Sequence, residues 1–598
     1  MLLCLVFGWM LVRLLPLKLN VMETAACSIA AGLLCGTWIV LLAVLAVGFP
    51  IGLPVGGLLL VASTALCWRY ARLKNVPERF TPGWLAVTLI TALLFSYMHW
   101  THDLLTIEQG LSSAGDTWGD IALHLTLASN FAAENRFSWQ FPLFHAARLT
   151  YPFLLDFTTA LLHRLGWSWN ASFAVPSVLL DLSIVQLAYW LAVRLSGKPL
   201  AGAIAVLLFL CGGSAAGWLY ALHDWQLAGY SLRFFAHLPL DYSHLPAANL
   251  NFTNTVTSEL LPQRGFALGM AIVLSCLLFF RATEDRLARR TVMIASLLIG
   301  LLPFAHVQSF EVGMAFLFGM LVLHRNLRLL AATFPGLVMA AIQLFWQIRN
   351  TNTGGFIRSY LGWMRGAQES LPHFWWLNFG LLLPLMLLAG WLAYRSNDRF
   401  KQGLALVGLC LFAACNLLIF QPNPYDNIKL LLYWYLILCL LLGGWFAKYL
   451  WAFPVAVSLC LSGLLSIRFD TAREYPEVTA TQIAWAAEVQ REVPEGATIL
   501  TSQQHNNPVS MLSGRPVALG YPGWLWTYGI DSSQTAKDMA EIYAGSPGAL
   551  SLLKQYGITY VEIGPEERLQ YVVNDQFFTR FPVSATSSDG TVYAVAGS

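Results

Sequence analysis

Fourteen apolar stretches dominate this sequence, at 1–17, 26–48, 51–68, 84–100, 172–193, 199–221, 265–281, 291–308, 310–324, 329–348, 376–394, 402–420, 430–447 and 450–467. A helix of about 17–25 apolar residues is what crosses the hydrocarbon core of a bilayer, because it satisfies its own backbone polar groups there. The expected fold is therefore a polytopic α-helical membrane protein with about fourteen transmembrane helices. Composition agrees. Charged residues are 11% and hydrophobic residues 57%, whereas a soluble domain carries roughly a quarter charged residues.

The positions of Lys and Arg orient the chain. They gather in Arg69, Arg72, Lys74 and Arg79; Arg194 and Lys198; Arg281, Arg286, Arg289 and Arg290; Arg325 and Arg328; Arg395, Arg399 and Lys401; and Lys448. With fourteen crossings all of these lie on one side, which the positive-inside rule makes the cytoplasm. The basic residues sit at membrane boundaries rather than in a stripe, so the net charge of +3 points to no nucleic-acid partner. All ten cysteines lie inside apolar stretches, which argues against a disulfide framework and a cysteine metal site. The N-terminus reads as a short first span, since no small-residue cleavage site follows it.

Outward segments at 101–171, 222–264, 349–375 and 421–429 are longer and mixed, rich in aromatic and ionisable residues. The tail from Asp470 to Ser598 is outward too. Helical spacing over 479–493 followed by strand patterns at 497–501 and 558–563 predicts a small α/β domain. The expected organisation is 1–83 for N-terminal transmembrane helices, 84–469 for a transmembrane domain with long outer loops, and 470–598 for the soluble domain.

The first outer loop reads Gly115-Asp-Thr-Trp-Gly-Asp-Ile-Ala-Leu-His124. In a helix over 117–133, residues four apart turn by only about 40°, so Asp116, Asp120 and His124 share one side. Such acids also cap helices well, with Asp116 at the N-cap and Asp120 in the first turn. Against pure capping, the helix follows a span directly and its acids have no basic partner at i+3 or i+4. A carboxylate there can take the proton of an acceptor hydroxyl. The same three groups could instead hold a divalent metal ion, and spacing alone does not choose.

Cations for a departing phosphate come from Glu259-Leu-Leu-Pro-Gln-Arg264-Gly265 and Gln421-Pro-Asn-Pro-Tyr-Asp-Asn-Ile-Lys429. Arg264 and Lys429 stand where spans re-enter the membrane, where basic residues also serve as snorkelling anchors. Asp426, Asn427 and Lys429 pack an acid, an amide and a base at one mouth. His306, in Pro303-Phe-Ala-His306, is a further candidate for substrate contact, and equally for bracing helices. In the tail, Trp524, Trp526 and Tyr528 suit a structural role better than sugar stacking, and Arg515 suits a helix C-terminus.

Taken in order, the acidic first outer loop, Tyr151-Pro-Phe-Leu-Leu-Asp156, Leu261-Pro-Gln-Arg264-Gly265, Pro303-Phe-Ala-His306 and Asp426-Asn427-Ile-Lys429 resemble the GT-C superfamily of bacterial membrane glycosyltransferases. Ser513-Gly-Arg515, Gly520-Tyr-Pro-Gly-Trp-Leu-Trp and Gly557-Ile-Thr-Tyr560-Val are similar to the soluble domain that ends many of them. The resemblance spans about residues 84–598. It implies a polyprenyl-phosphate-linked sugar as donor, a glycan, lipid or protein acceptor, an inverting mechanism and a catalytic acid matching Asp116 or Asp120. It also implies a bacterial inner membrane with the C-terminal domain outside the cytoplasm. The chain departs from the pattern in three extra spans before the first outer loop and in lacking the adjacent Asp-Glu of protein mannosyltransferases. The other classes weighed are a glycan polymerase or ligase, a non-catalytic lipid-sugar binding protein, and a transporter or flippase. The last fits worst, because the charges concentrate at the outer ends and no inverted repeat is visible.

Overall fold

The computed structural model describes residues 1–71, 77, 80–283, 288–349, 351 and 353–595. Arg72, Lys74, Arg79 and Arg286 of the basic loops lie outside the described residues. Every apolar stretch coincides with a helix or a bent pair of helices. Eight helices are long and apolar enough to cross a membrane: Val21–Val47, Phe49–Tyr70, Pro82–Asp103, Trp169–Ser196, Arg264–Ala282, Arg399–Leu417, Pro424–Phe446 and Leu450–Asp470. Two further candidates are broken, Pro199–Cys211 with Ala215–Leu227 by 62° and Leu371–Asn378 with Leu382–Arg395 by 80°.

Of the fourteen expected spans, eight run as long helices and two as bent pairs, and the other four run as shorter apolar helices. Leu2–Val12, Arg289–Gly300, Val307–Leu323 and Phe334–Ile348 hold only 11, 12, 17 and 15 residues. At 1.5 Å per residue they measure ~17–26 Å, the longest of them at the lower limit for crossing the bilayer. A hydropathy pattern counts apolar residues, not the length over which the backbone stays helical. The protein is nonetheless an integral, polytopic helical membrane protein.

Its two most deeply buried spans, Arg264–Ala282 and Pro424–Phe446, are wrapped by the others. Both begin at residues that the sequence singles out.

The outer segments assemble over one end of the bundle. Past Met98 the third long span continues as a π-turn, His99–Asp103, and then a hairpin of Leu105–Ile107 and Gly110–Ser113. The second hairpin strand pairs antiparallel with Tyr475–Thr479, so the first outer loop and the start of the tail share one sheet across the boundary at 470. Gly110 makes that pairing possible. Its φ is +146°, and a Cβ there would sit 1.9 Å from the Val478 carbonyl oxygen. Gly110→Val should therefore cost about 2–4 kcal/mol through backbone strain and overpacking. It should show as a lowered thermal midpoint in detergent, and an unchanged midpoint would mean that this sheet does not bind tail to bundle.

Beyond the sheet the tail is the expected α/β unit. Its strands lie in the order Val583–Thr586, Thr591–Ala594, Ile558–Ile563, Thr498–Leu500. The last pair is parallel and the others antiparallel. The helix Ala480–Glu492 opens on a Thr479/Gln482 capping box and buries Trp485 and Val489 against Ile499 and Val592. Arg515 donates to the carbonyls of Gln490 and Val493 at 2.9 Å each, so it caps this helix's C-terminus. It also approaches Glu134 at 3.3 Å, which ties the tail to the first outer loop.

Candidate active site

The helix of the first outer loop runs Trp118–Ala133 with Thr117 as its N-cap residue. Asp116 is therefore not the cap and stands outside the helix. Thr117 is held by bonds to the His102 carbonyl (2.7 Å) and from the Ala114 amide (3.0 Å). That frees Asp116 to face other acids. Its backbone N–H donates to Asp470 Oδ1 at 3.3 Å. Burial pushes its carboxyl well above the usual carboxylate range, and the charges of Asp470, Asp241 and Asp120 push it further, while the Thr257 hydroxyl opposes them. Asp241 is raised by burial as well. Carboxyls from three distant segments thus lie close enough to repel one another.

Asp120, in the first helical turn, stands close enough for its charge to reach Asp116. It lines a cavity of about 200 Å³ with Leu123, Tyr151, Ser258, Glu259, Gln263, Gln421, Asn423, Tyr425, Asp426, Lys429, Trp524, Thr527 and Tyr528. Gln263 Nε2 donates to Asp120 Oδ2 at 3.0 Å. Burial raises the Asp120 carboxyl despite the opposing charges of His124 and Lys429. Lys429 Nζ pairs with Asp426 Oδ1 at 3.1 Å, both side chains nearly buried. Tyr151 meets Tyr528 edge-on at 5.1 Å, and Trp524 is steadied by Tyr521 at 5.2 Å. The tail thereby supplies an aromatic wall opposite the bundle.

The remaining candidates serve the frame rather than the cavity. His124 Nδ1 lies 2.9 Å from Asp156 Oδ1. Burial pulls its pKa down, but the Asp156 charge and hydrogen bond outweigh that, and the net shift is upward. Arg264 approaches the same Asp156 oxygen at 3.8 Å. It donates to Thr159 Oγ1 (2.7 Å) and Ser177 Oγ (3.1 Å), and it stacks over Phe173 at 4.6 Å. At 1% exposure it does not snorkel, it is not among the residues lining the cavity, and its second terminal nitrogen has no hydrogen-bond partner. His306 caps the helix Val307–Leu323 by accepting from the Ser309 amide at 3.2 Å, and Ser309 in turn bonds Tyr433 at 2.6 Å. Asn427 donates to the carbonyls of Leu418 (2.7 Å) and Cys415 (3.2 Å), closing the turn before its own span. Neither His306 nor Asn427 lines the cavity.

A metal ion shared by Asp116, Asp120 and His124 does not fit. His124 is turned to Asp156, and among the described residues no three His, Cys, Asp or Glu side chains converge as a metal-holding group.

Sequence reasoning missed Glu259 as a site residue, although it stands in the motif that closes the second outer loop. It is 1% exposed, its Oε2 has no hydrogen-bond partner, and it lines the cavity. Burial pushes its carboxyl up to about 8; Lys429 opposes the shift, and Asp426 and Asp120 add to it. A lone acid between His244 and Arg264, just before a span, was the available signal. Asp241 and Asp470 were missed for a plainer reason, since nothing local marks either as facing Asp116.

The Glu259 shift has a sign. A carboxyl that binds its proton more tightly when folded stabilises the fold fully below its unfolded pKa, near 4.5. That contribution is lost as pH rises through about 8. Melting between pH 5 and 9 should thus show stability falling, and Glu259→Gln should flatten the fall. An equal slope in both proteins would mean that Glu259 is ionised throughout.

No family model matches the chain, and no curated protein does. Solved structures do. The oligosaccharyltransferase of Archaeoglobus fulgidus in its apo form is 12% identical, covering 82% of this chain and 71% of that one at a TM-score of 0.44. ArnT from Cupriavidus metallidurans in the apo state is 14% identical, covering 86% and 98% at a TM-score of 0.44. The same protein bound to undecaprenyl phosphate gives 14%, 87% and 99% at 0.42. All three scores lie below one half, and none of these likenesses carries the function of this chain.

Proposed function

We propose that this protein is an inverting membrane glycosyltransferase that moves a sugar from a polyprenyl-phosphate donor to an acceptor outside the cytoplasm. The observation that carries this reading is the cavity beside the membrane boundary. There a single cation, Lys429, meets Asp120, Glu259 and Asp426 beneath Trp524 and Tyr528. An apolar lipid tail would stay in the bilayer while its phosphate reaches Lys429 and its sugar lies against the aromatic wall. The GT-C resemblance of the motifs around the cavity supports the same donor.

The chemistry then runs as one displacement. A carboxylate takes the proton of the acceptor hydroxyl, whose oxygen attacks the anomeric carbon from the face opposite the phosphate. The bond from carbon to phosphate oxygen breaks, and the charge gathering on the departing lipid phosphate is met by Lys429. Asp116 is the base in this scheme. Burial, Asp470 and Asp241 raise its proton affinity, which favours its taking a proton from the acceptor. Asp120, fixed by Gln263, orders the donor end of the cavity. The catalytic face and the tail lie outside the cytoplasm, on the side opposite the basic loops.

Native mass measurement of gently purified protein tests the donor class. A retained polyprenyl phosphate, lost on Lys429→Gln, is the expected result. Retention of glycerophospholipids alone, together with no transfer from any polyprenyl-phosphate sugar, would remove the proposal.

A further inference from the structure

The largest cavity among those described lies at the other end of the bundle, away from the candidate active site. It holds about 330 Å³ between the ends of three spans and the loop at Ser396. Lys429 stands in the first turn of the helix Ile428–Phe446 and Lys448 just past its end, and the 19 residues of the helix set the two sites ~28 Å apart along its axis. Lys198, Lys401 and Lys448 all line this second cavity, with the hydroxyl-bearing Ser196 and Ser396, and among the described residues no acid does.

The three lysines make no ion pair among the described residues, whereas their basic neighbours do. Arg194 pairs with Glu23, and Arg281 with Asp398 at 3.1 Å. Lys448 rests on the Tyr449 ring at 4.9 Å, and Trp445 stands beside them in the wall, as aromatics do at headgroup level. The floor is apolar and opens onto a second groove of about 220 Å³, with which it shares Ala389 and Leu441. That groove is lined by Leu387, Gly390, Leu406, Leu409 and Ile437 and lies between three helices.

We propose that this end of the bundle binds an anionic glycerophospholipid. Its phosphate sits among Lys198, Lys401 and Lys448, and an acyl chain runs in the adjoining groove. A basic pocket between transmembrane helices recognises a lipid phosphate by charge. The apolar continuation is what distinguishes a lipid from free phosphate, and three lining lysines favour an anionic headgroup over a zwitterionic one.

The test uses the full chain in nanodiscs of phosphatidylglycerol or phosphatidylcholine, followed by delipidation and native mass spectrometry. Wild type should retain phosphatidylglycerol selectively. Replacing Lys198, Lys401 and Lys448 together by Gln should weaken that retention by about 5-fold per charge, roughly 100-fold in all. Phosphatidylcholine binding and the lipid-free melting point should not change. Gly390→Phe gives an independent arm. An added Cβ at Gly390 meets nothing within 4 Å, so the ring should enter the groove and displace the acyl chain while the lysines stay in place. Equal retention of both lipids by wild type, or unchanged retention in the triple variant and in Gly390→Phe, would overturn the proposal. So would inorganic phosphate raising the melting point as much as phosphatidylglycerol does, or polyprenyl phosphate being the lipid that the triple variant loses.

Discussion

Asp116→Asn is expected to give a folded protein whose sugar transfer is slower by at least about 10²–10⁴-fold, the usual loss on removing a general base. The exchange keeps the size of the side chain and removes its charge and its basic oxygen. Folding should survive for two reasons. Asp116 is outside the helix that follows it, and its neighbours Asp470 and Asp241 already oppose its ionisation. The variant therefore relieves repulsion, and its thermal midpoint should hold or rise while turnover collapses. Asp120→Asn separates the two acids. It retains an oxygen for Gln263, so a smaller loss of turnover with weaker donor binding fits a role in ordering the donor. Transfer assays of both variants against a polyprenyl-phosphate sugar decide the matter. Wild-type rates in both would leave the cluster with no catalytic part.

The second large effect sets Lys429 against Arg264. Lys429→Gln should lower turnover about 10²–10³-fold, because it removes a preorganised charge from the leaving phosphate. Expression and melting should change little by comparison. Arg264→Leu should do the reverse. Asp156 and His124 would lose a buried partner, and breaking such a group typically costs about 3–5 kcal/mol. The protein should melt early or fail to accumulate, with any folded fraction retaining turnover. A stable Arg264→Leu protein that has lost only catalysis would put Arg264, not Lys429, at the phosphate.

The positions of these residues were readable to unequal degrees before the fold was known. Asp120, Asp426 and Lys429 stand out as ionisable groups at span mouths, and the structure brings them to one cavity. Arg264 looks the same in sequence, yet Thr159, Ser177 and Phe173 hold it behind the site. A basic residue at a span end can turn toward lipid, cavity or core, and hydropathy is the same in each case. His306 and Asn427 are polar for local reasons, capping a helix and closing a turn. Trp524 and Tyr528 went the other way. Their spacing suits a packed loop, but the tail's docking on the first outer loop carries them into the cavity wall.

Hydropathy and residue periodicity by themselves determined that the chain is a polytopic membrane protein with long segments between its spans and an α/β tail. Those properties are written in neighbouring residues, since a span or a strand is a contiguous stretch with one period. Which span is long enough, which arginine braces and which acids face one another were decided only by tertiary structure. Asp120 meets Gln263 across 143 residues and Asp116 meets Asp470 across 354. Contacts over such separations arise when helices pack and loops fold over their ends, and no local pattern encodes them.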